Sequence, residues 1–319
     1  MSYDVILLSE KGEEMRKLVY DFFSARPNYE VSTNDIMYEN PETGVHFQWI
    51  FTPYHEDDLN EETTSIHAKD IGHLRLNFAR PTAFAKEAAL ELLALSQSLP
   101  VQFYDLQQDS IYDKFINAEQ LTAPYAKHAQ SALSAMIESS PEMPKPQVRP
   151  KQLLDSIWEW NFNRDALTAS LSEDLFVPKI DFFRFDGELK TGIVWGDGIP
   201  MLCPRADIVI VYRKDTAPRT SWFKQKQAVI DVITFDEFKK DYKKWLFEDS
   251  QSLGSLTCSS SDAKHLRKAV ATSKIRREVH PIGEEGMHSL EALPFMTVLD
   301  SEICIPTSTQ NTAMLKKPT

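Results

Sequence analysis

Between residues 4 and 106 the spacing of apolar side chains switches repeatedly between the period of a strand and that of a helix, and this alternation restricts the fold most. Asp4–Leu8 predicts a short buried strand. Met15, Leu18, Val19, Phe22 and Phe23 then recur at helical spacing. Ser9 supplies a cap, Glu10, Glu13 and Glu14 lie near the positive end, and Arg26-Pro27-Asn28 stops the helix. Ile36-Met37-Tyr38 and Val45–Phe51 flank Asn40-Pro41-Glu42-Thr43-Gly44, which predicts a β-hairpin with Val45, Phe47 and Trp49 on one face and His46 and Gln48 on the other. Ile71–Ala79 alternates Leu74, Leu76 and Phe78 against His73, Arg75 and Asn77. Arg80-Pro81 breaks that strand. Thr82 can cap a helix whose stripe is Phe84, Ala88, Leu92 and Leu95, followed by a strand over Val101–Leu106 and a helical stretch from about Lys114 to Ile137. The order β-α-β-β-β-α-β predicts an α+β fold, specifically a ferredoxin-like sandwich with one added strand.

Residues 139–150, SSPEMPKPQVRP, hold four prolines and few apolar side chains, so they are the expected linker. The chain thus divides into a domain over 1–138, the linker, a second α+β domain over 151–306 and a flexible tail over 307–319. In the second domain, Leu153, Leu154, Ile157, Trp158 and Phe162 predict a helix. Ile180–Phe185 and Leu189–Trp195 read as strands joined at Asp186-Gly187, Gly196-Asp197-Gly198 as a turn, and Ile208–Tyr212 as a central strand. Phe235–Phe247 reads as an amphipathic helix with Phe238, Tyr242, Trp245 and Leu246 inward and Lys239, Lys240, Lys243 and Lys244 outward.

Charge is distributed more tellingly than its total of −12 suggests. Residues 1–140 hold 10 Lys/Arg against 22 Asp/Glu, whereas residues 141–319 hold 25 of each, so the whole acidic excess belongs to the first half. Such a field repels nucleic acid and anionic membrane and steers basic partners inward; it also keeps a cytosolic protein soluble. The first residues carry no basic start and no cleavage site, so no secretory signal is expected. The apolar runs are strand-sized, far short of the roughly 20 residues that cross a bilayer. Cys203, Cys258 and Cys304 are odd in number and widely spaced, which fits free thiols in the cytoplasm.

Tyr38-Glu-Asn-Pro-Glu-Thr-Gly-Val-His-Phe47, Leu74-Arg-Leu-Asn-Phe-Ala-Arg-Pro81 running into a helix with Glu87-Ala88, and Val101–Gln107 ending in Tyr-Asp-Leu-Gln form a set. Val194-Trp-Gly-Asp-Gly-Ile-Pro200, followed by Pro204-Arg-Ala-Asp-Ile-Val-Ile-Val211, extends it. Together these segments resemble a family of uncharacterised bacterial proteins encoded near toxin and type VI secretion loci. The matching segments span about residues 3–107 and 190–213. The resemblance implies a cytosolic immunity protein of a polymorphic (Rhs-type) toxin system, which binds the C-terminal domain of its cognate toxin one to one. It implies no catalytic residues and no cofactor.

An acidic face would speed capture of a basic toxin. The expected contact surface is the acidic run Glu56, Asp57, Asp58, Glu61 and Glu62, with Tyr54 as an aromatic anchor; a solvated loop explains the same run. Trp158 and Trp160, two apart in a helix, cannot share a face, so Trp160 is a further interface candidate. The alternatives are an enzyme, such as a metal-dependent nuclease or one reversing a toxin modification, or a secretion-system adaptor. Asp181 with Glu188-Leu189-Lys190 mimics the carboxylate–ExK set of metal-dependent nucleases, although Asp186-Gly187 also reads as a plain hairpin turn. No HExxH motif or paired cysteines are present, and no metal site is expected. Ser259-Ser260-Ser261-Asp262 before His265 reads as a helix start rather than a nucleophile, and Cys203 as packed rather than reactive.

Overall fold

The computed structural model describes residues 2–51, 70–140, 142, 146–171, 175–217, 228–248, 256–258, 262–279 and 288–304. The protein is a mixed α+β chain of two compact units: residues 1–155 with 296–319, and residues 156–295. No described helix is long and apolar enough to cross a membrane.

In the first unit, strands β1 (Ser2–Leu8), β2 (Tyr29–Val31), β3 (Asp35–Glu39), β4 (His46–Ile50), β5 (Asp70–Asn77), β6 (Gln102–Asp105) and β7 (Ser110–Tyr112) form one sheet. Its order is β2-β3-β4-β5-β1-β6-β7, and every pairing is antiparallel. Register follows the sequence alternation: Val5 lies opposite Leu74, and Leu74 opposite Trp49, so these share a face with Phe47 and Leu76. Helices α1 (Glu13–Ser24) and α2 (Ala83–Ser98) supply the apolar stripes for that face, where Phe23 stacks on Trp49 at 4.2 Å between centroids. Helix α3 (Glu119–Ser139) packs on α2, and its Tyr125 donates to the Asn77 carbonyl at 2.7 Å.

Two short strands, β2 and β7, were not expected from the sequence: each has three residues, too few for a period to show. The predicted linker also holds secondary structure. Its residues 147–149 form β8 (Gln147–Arg149), which pairs in parallel with Val298–Asp300 from the far end of the chain. Asp300 then caps α2, its carboxylate accepting the Thr82 amide at 2.6 Å and the Thr82 hydroxyl at 3.2 Å. The boundary between units falls instead between Asp155 and Ser156, inside helix α4 (Lys151–Phe162). Residues 296–304, expected in the second domain, belong to the first unit because of that pairing.

The second unit is built after α4 and α5 (Arg164–Ser170) on β9 (Asp181–Phe185), β10 (Glu188–Gly196), β11 (Leu202–Cys203), β12 (Ile208–Arg213) and β13 (Val229–Thr234). Asp186 (φ 49°) and Gly187 (φ 83°) both occupy left-handed backbone, the geometry of a two-residue hairpin turn between β9 and β10. Helix α6 (Phe235–Tyr242) buries Phe238 and Tyr242 edge-on against Trp195. It ends five residues earlier than the lysine spacing suggests: a 3-10 turn over Lys243–Trp245 leads into β14 (Leu246–Glu248). β14 pairs with β15 (Leu256–Cys258), which pairs with β11. Helix α7 (Ala263–Thr272), β16 (Glu278–Val279) and β17 (Leu290–Leu293) complete a mixed sheet ordered β16-β13-β12-β10-β9-β17. Among the described strands of this sheet, β10 and β12 pair in parallel and the other neighbours antiparallel.

Candidate functional site

Several of the turn segments are held by a carboxylate that gathers the chain's own polar groups. In the turn between β3 and β4, the Asn40 carbonyl accepts the Gly44 amide and the Asn40 side-chain oxygen accepts the Glu42 amide, which fixes the loop's shape. That loop is pinned to α2 by Glu87. The Glu87 carboxylate accepts the Tyr38 hydroxyl and the Asn40 side-chain amide at 2.7 Å each, and the Thr43 hydroxyl at 2.9 Å. All four residues are buried. Burial, and then the Glu87 charge, push the ionisation of Tyr38 far up, so it stays a donor.

The other motifs repeat the device. Asp105 accepts the Tyr3 hydroxyl and the amides of Gln107 and Gln108, while the Gln107 side chain accepts the Asp4 amide. Burial raises the Asp105 pKa and these bonds oppose the rise. Asp197, in left-handed backbone, gathers the amides of Lys214, Asp215 and Thr216 and the Thr216 hydroxyl through one oxygen, all within 3.0 Å. Asp207 takes the Thr191 amide and hydroxyl at 2.8 and 3.0 Å. Glu87, Asp105, Asp197 and Asp207 are therefore committed to holding turns of the scaffold.

Other acids of the first unit are exposed. Helix α1 turns Glu13, Glu14 and Asp21 outward. Glu13 and Glu14 edge a hollow of about 520 Å³ that Arg16, Lys17, Tyr20 and Phe51 also line, with Arg16 paired to Glu13 at 3.1 Å. Glu30 and Glu39 are exposed on β2 and β3, Asp109 and Asp113 to either side of β7, and Glu119 at the start of α3. The expected acidic run Glu56, Asp57, Asp58, Glu61 and Glu62, with Tyr54, lies outside the described residues. Trp160 is half-buried, and its indole N–H donates to the Pro178 carbonyl at 2.9 Å, so it anchors the approach to β9. Its neighbour Asn161 does the same by bonding both backbone groups of Ile180.

The nuclease-like trio is spread out. Register places Asp181 opposite Gly192 and Glu188 opposite Phe185, at the two ends of the β9–β10 ladder, with Phe183 between them on the same face. Lys179 pairs with Asp181 at 3.5 Å, and Lys190 with Glu188 at 2.6 Å. Among the described residues no cluster of three His, Cys, Asp or Glu side chains is placed to hold a metal ion. At the Glu188 end a hollow of about 290 Å³ is lined by Phe185, Asp186, Lys190, Ile208, Val232 and Arg277. Beside it His288 Nδ1 lies 2.6 Å from Asp186. The sequence offered no sign of that pair, whose members are 102 residues apart and meet only because β17 adds to β9. Cys203 is fully buried and Cys304 half-buried, both as free thiols. No protein-family model, no curated protein and no solved structure matches the chain.

Proposed function

We propose that this protein is an acidic binding scaffold, a preformed surface that works by capture. More specifically, it is a cytoplasmic immunity protein that binds the C-terminal domain of a cognate bacterial toxin one to one and blocks it sterically. The observation that carries this reading is the division of labour among carboxylates in the first unit. Glu87 and Asp105 are buried and locked by internal donors, while Glu13, Glu14, Asp21 and their neighbours are displayed on a half-chain with a −12 balance. A rigid frame loses little entropy on binding, and its field accelerates encounter with a basic partner. The resemblance of the motif set to proteins encoded beside toxin loci supports the same assignment.

The first unit is proposed to be an elaborated ferredoxin-like sandwich. The order β6-β1-β5-β4, with α1 and α2 as crossovers, supports this; β2, β3 and β7 are then additions at the edges. The functional test is direct. The toxin domain encoded immediately upstream is mixed with the full chain, and complex formation is followed by calorimetry as salt is raised. A one-to-one complex that weakens with salt, together with rescue of cells expressing that toxin, is expected. Absence of any complex, or substrate turnover by the chain alone, overturns the assignment.

A further inference from the structure

We infer that the outer edge of β7 is a docking strand for a basic, extended segment of the partner. This deepens the immunity reading and rests on it for the partner's identity. β7 ends the sheet, and among the described residues no strand pairs with its far side, so its outward amides and carbonyls form a template for another strand. The shortness of β7 limits indiscriminate pairing, while Ser110, Ile111 and Tyr112 include no lysine or proline that would bar a matched strand.

The side chains specify what fits. Ile111 is 53% exposed, and Ile116, just beyond the strand, is 76% exposed. Asp109, in the left-handed turn before the strand, and Asp113, just after it, are both exposed and bracket Ile111 with negative charge. Both acids are held in place from β6: the Tyr104 hydroxyl donates to Asp109 at 2.9 Å and the Gln102 side chain to Asp113 at 2.7 Å. Each is held through Oδ1. An extended segment with an apolar residue against Ile111 and basic residues toward both ends would match the apolar centre and its acidic flanks. A second copy of the chain would bring acid against acid, so like-charge repulsion argues for a different, basic partner.

The test uses the full chain and two probes: the neighbouring toxin domain, and a capped peptide containing Lys-Thr-Val-Thr-Lys. Amide exchange is measured across residues 109–117, and affinity is compared for wild type, the Ile111→Lys/Ile116→Lys double variant and the Asp109→Asn/Asp113→Asn double variant. Protection at 110–112 by either probe is expected, with affinity reduced at least about tenfold in the isoleucine variant. The asparagine variant should bind with a weaker salt dependence. Binding of the toxin domain at full strength by the isoleucine variant overturns the docking edge while leaving the immunity reading intact. So does exchange at 110–112 that neither probe slows, or self-association of wild type through this edge. Peptide docking without any toxin complex would retain the edge and remove the immunity reading.

Discussion

The Glu87 carboxylate accepts the Tyr38 hydroxyl at 2.7 Å, joining β3 to α2 across 49 residues of sequence. Asn40 and Thr43 bond to the same buried group. Glu87→Ala leaves three buried donors without their acceptor and should cost about 3–5 kcal/mol, whereas Tyr38→Phe should cost about 1 kcal/mol. Urea unfolding of both, and of the double variant, should also give a positive coupling energy. Equal stability of Glu87→Ala and wild type would remove Glu87 as the lock of this loop.

Arg213 and Asp231 form an ion pair at 3.1 Å with side chains 2% and 0% exposed. Arg213 also donates to the carbonyls of Val270 and Ser273, and Asp231 accepts the amides of Arg276 and Arg277 at 2.9 Å each. Removing one partner strands a buried charge. Arg213→Met should therefore destabilise by about 3–5 kcal/mol, measured by thermal unfolding. A loss well under about 1 kcal/mol would mean that water reaches Asp231.

Acid should loosen the second unit through Glu237. The Arg277 guanidinium, with the Thr234 amide and Arg276 adding to it against the opposing effect of burial, holds its pKa at about 2 rather than the ordinary 4.5. Because the folded value is the lower one, its stabilisation is complete above about pH 4.5 and is lost as pH falls toward 2. Glu237→Gln should be less stable than wild type by about 1–2 kcal/mol at neutral pH, after allowance for partial solvent screening. The difference should shrink to near zero by about pH 2 in unfolding curves taken across that range. A gap that stays constant with pH would refute the assignment.

Replacing Glu13, Glu14 and Asp21 on α1 by lysine should slow association with the toxin domain at least about tenfold at low salt, with dissociation changed by less than about threefold. Stopped-flow measurements separate the two rates. An unchanged association rate would place the steering field elsewhere in the first unit.

Much of the fold was legible because periodicity reports burial directly. Met15, Val19 and Phe23 are buried on α1; Phe84, Ala88, Leu92 and Leu95 are buried on α2; Asp186-Gly187 makes the turn that its composition suggests. Leu18 has helical spacing yet is 41% exposed, since the stripe is wider than the sheet face that receives it. His73, on the polar side of its strand pattern, is buried, and burial lowers its pKa to about 4. The site was less legible. A row of acids has the same composition whether each member faces solvent or a buried donor, so Glu87 and Glu14 look alike until the chain is folded.

The sequence by itself determined the α+β class, the longer strands and helices between residues 4 and 137 and the concentration of negative charge before residue 141, because these follow from local periodicity and from counting. Only the tertiary structure decided which carboxylates are structural, which strand ends the sheet, and that residues 147–149 pair with 298–300. Those outcomes depend on donors and strands brought together across long separations in the chain, and such contacts leave no local pattern for side-chain spacing to reveal.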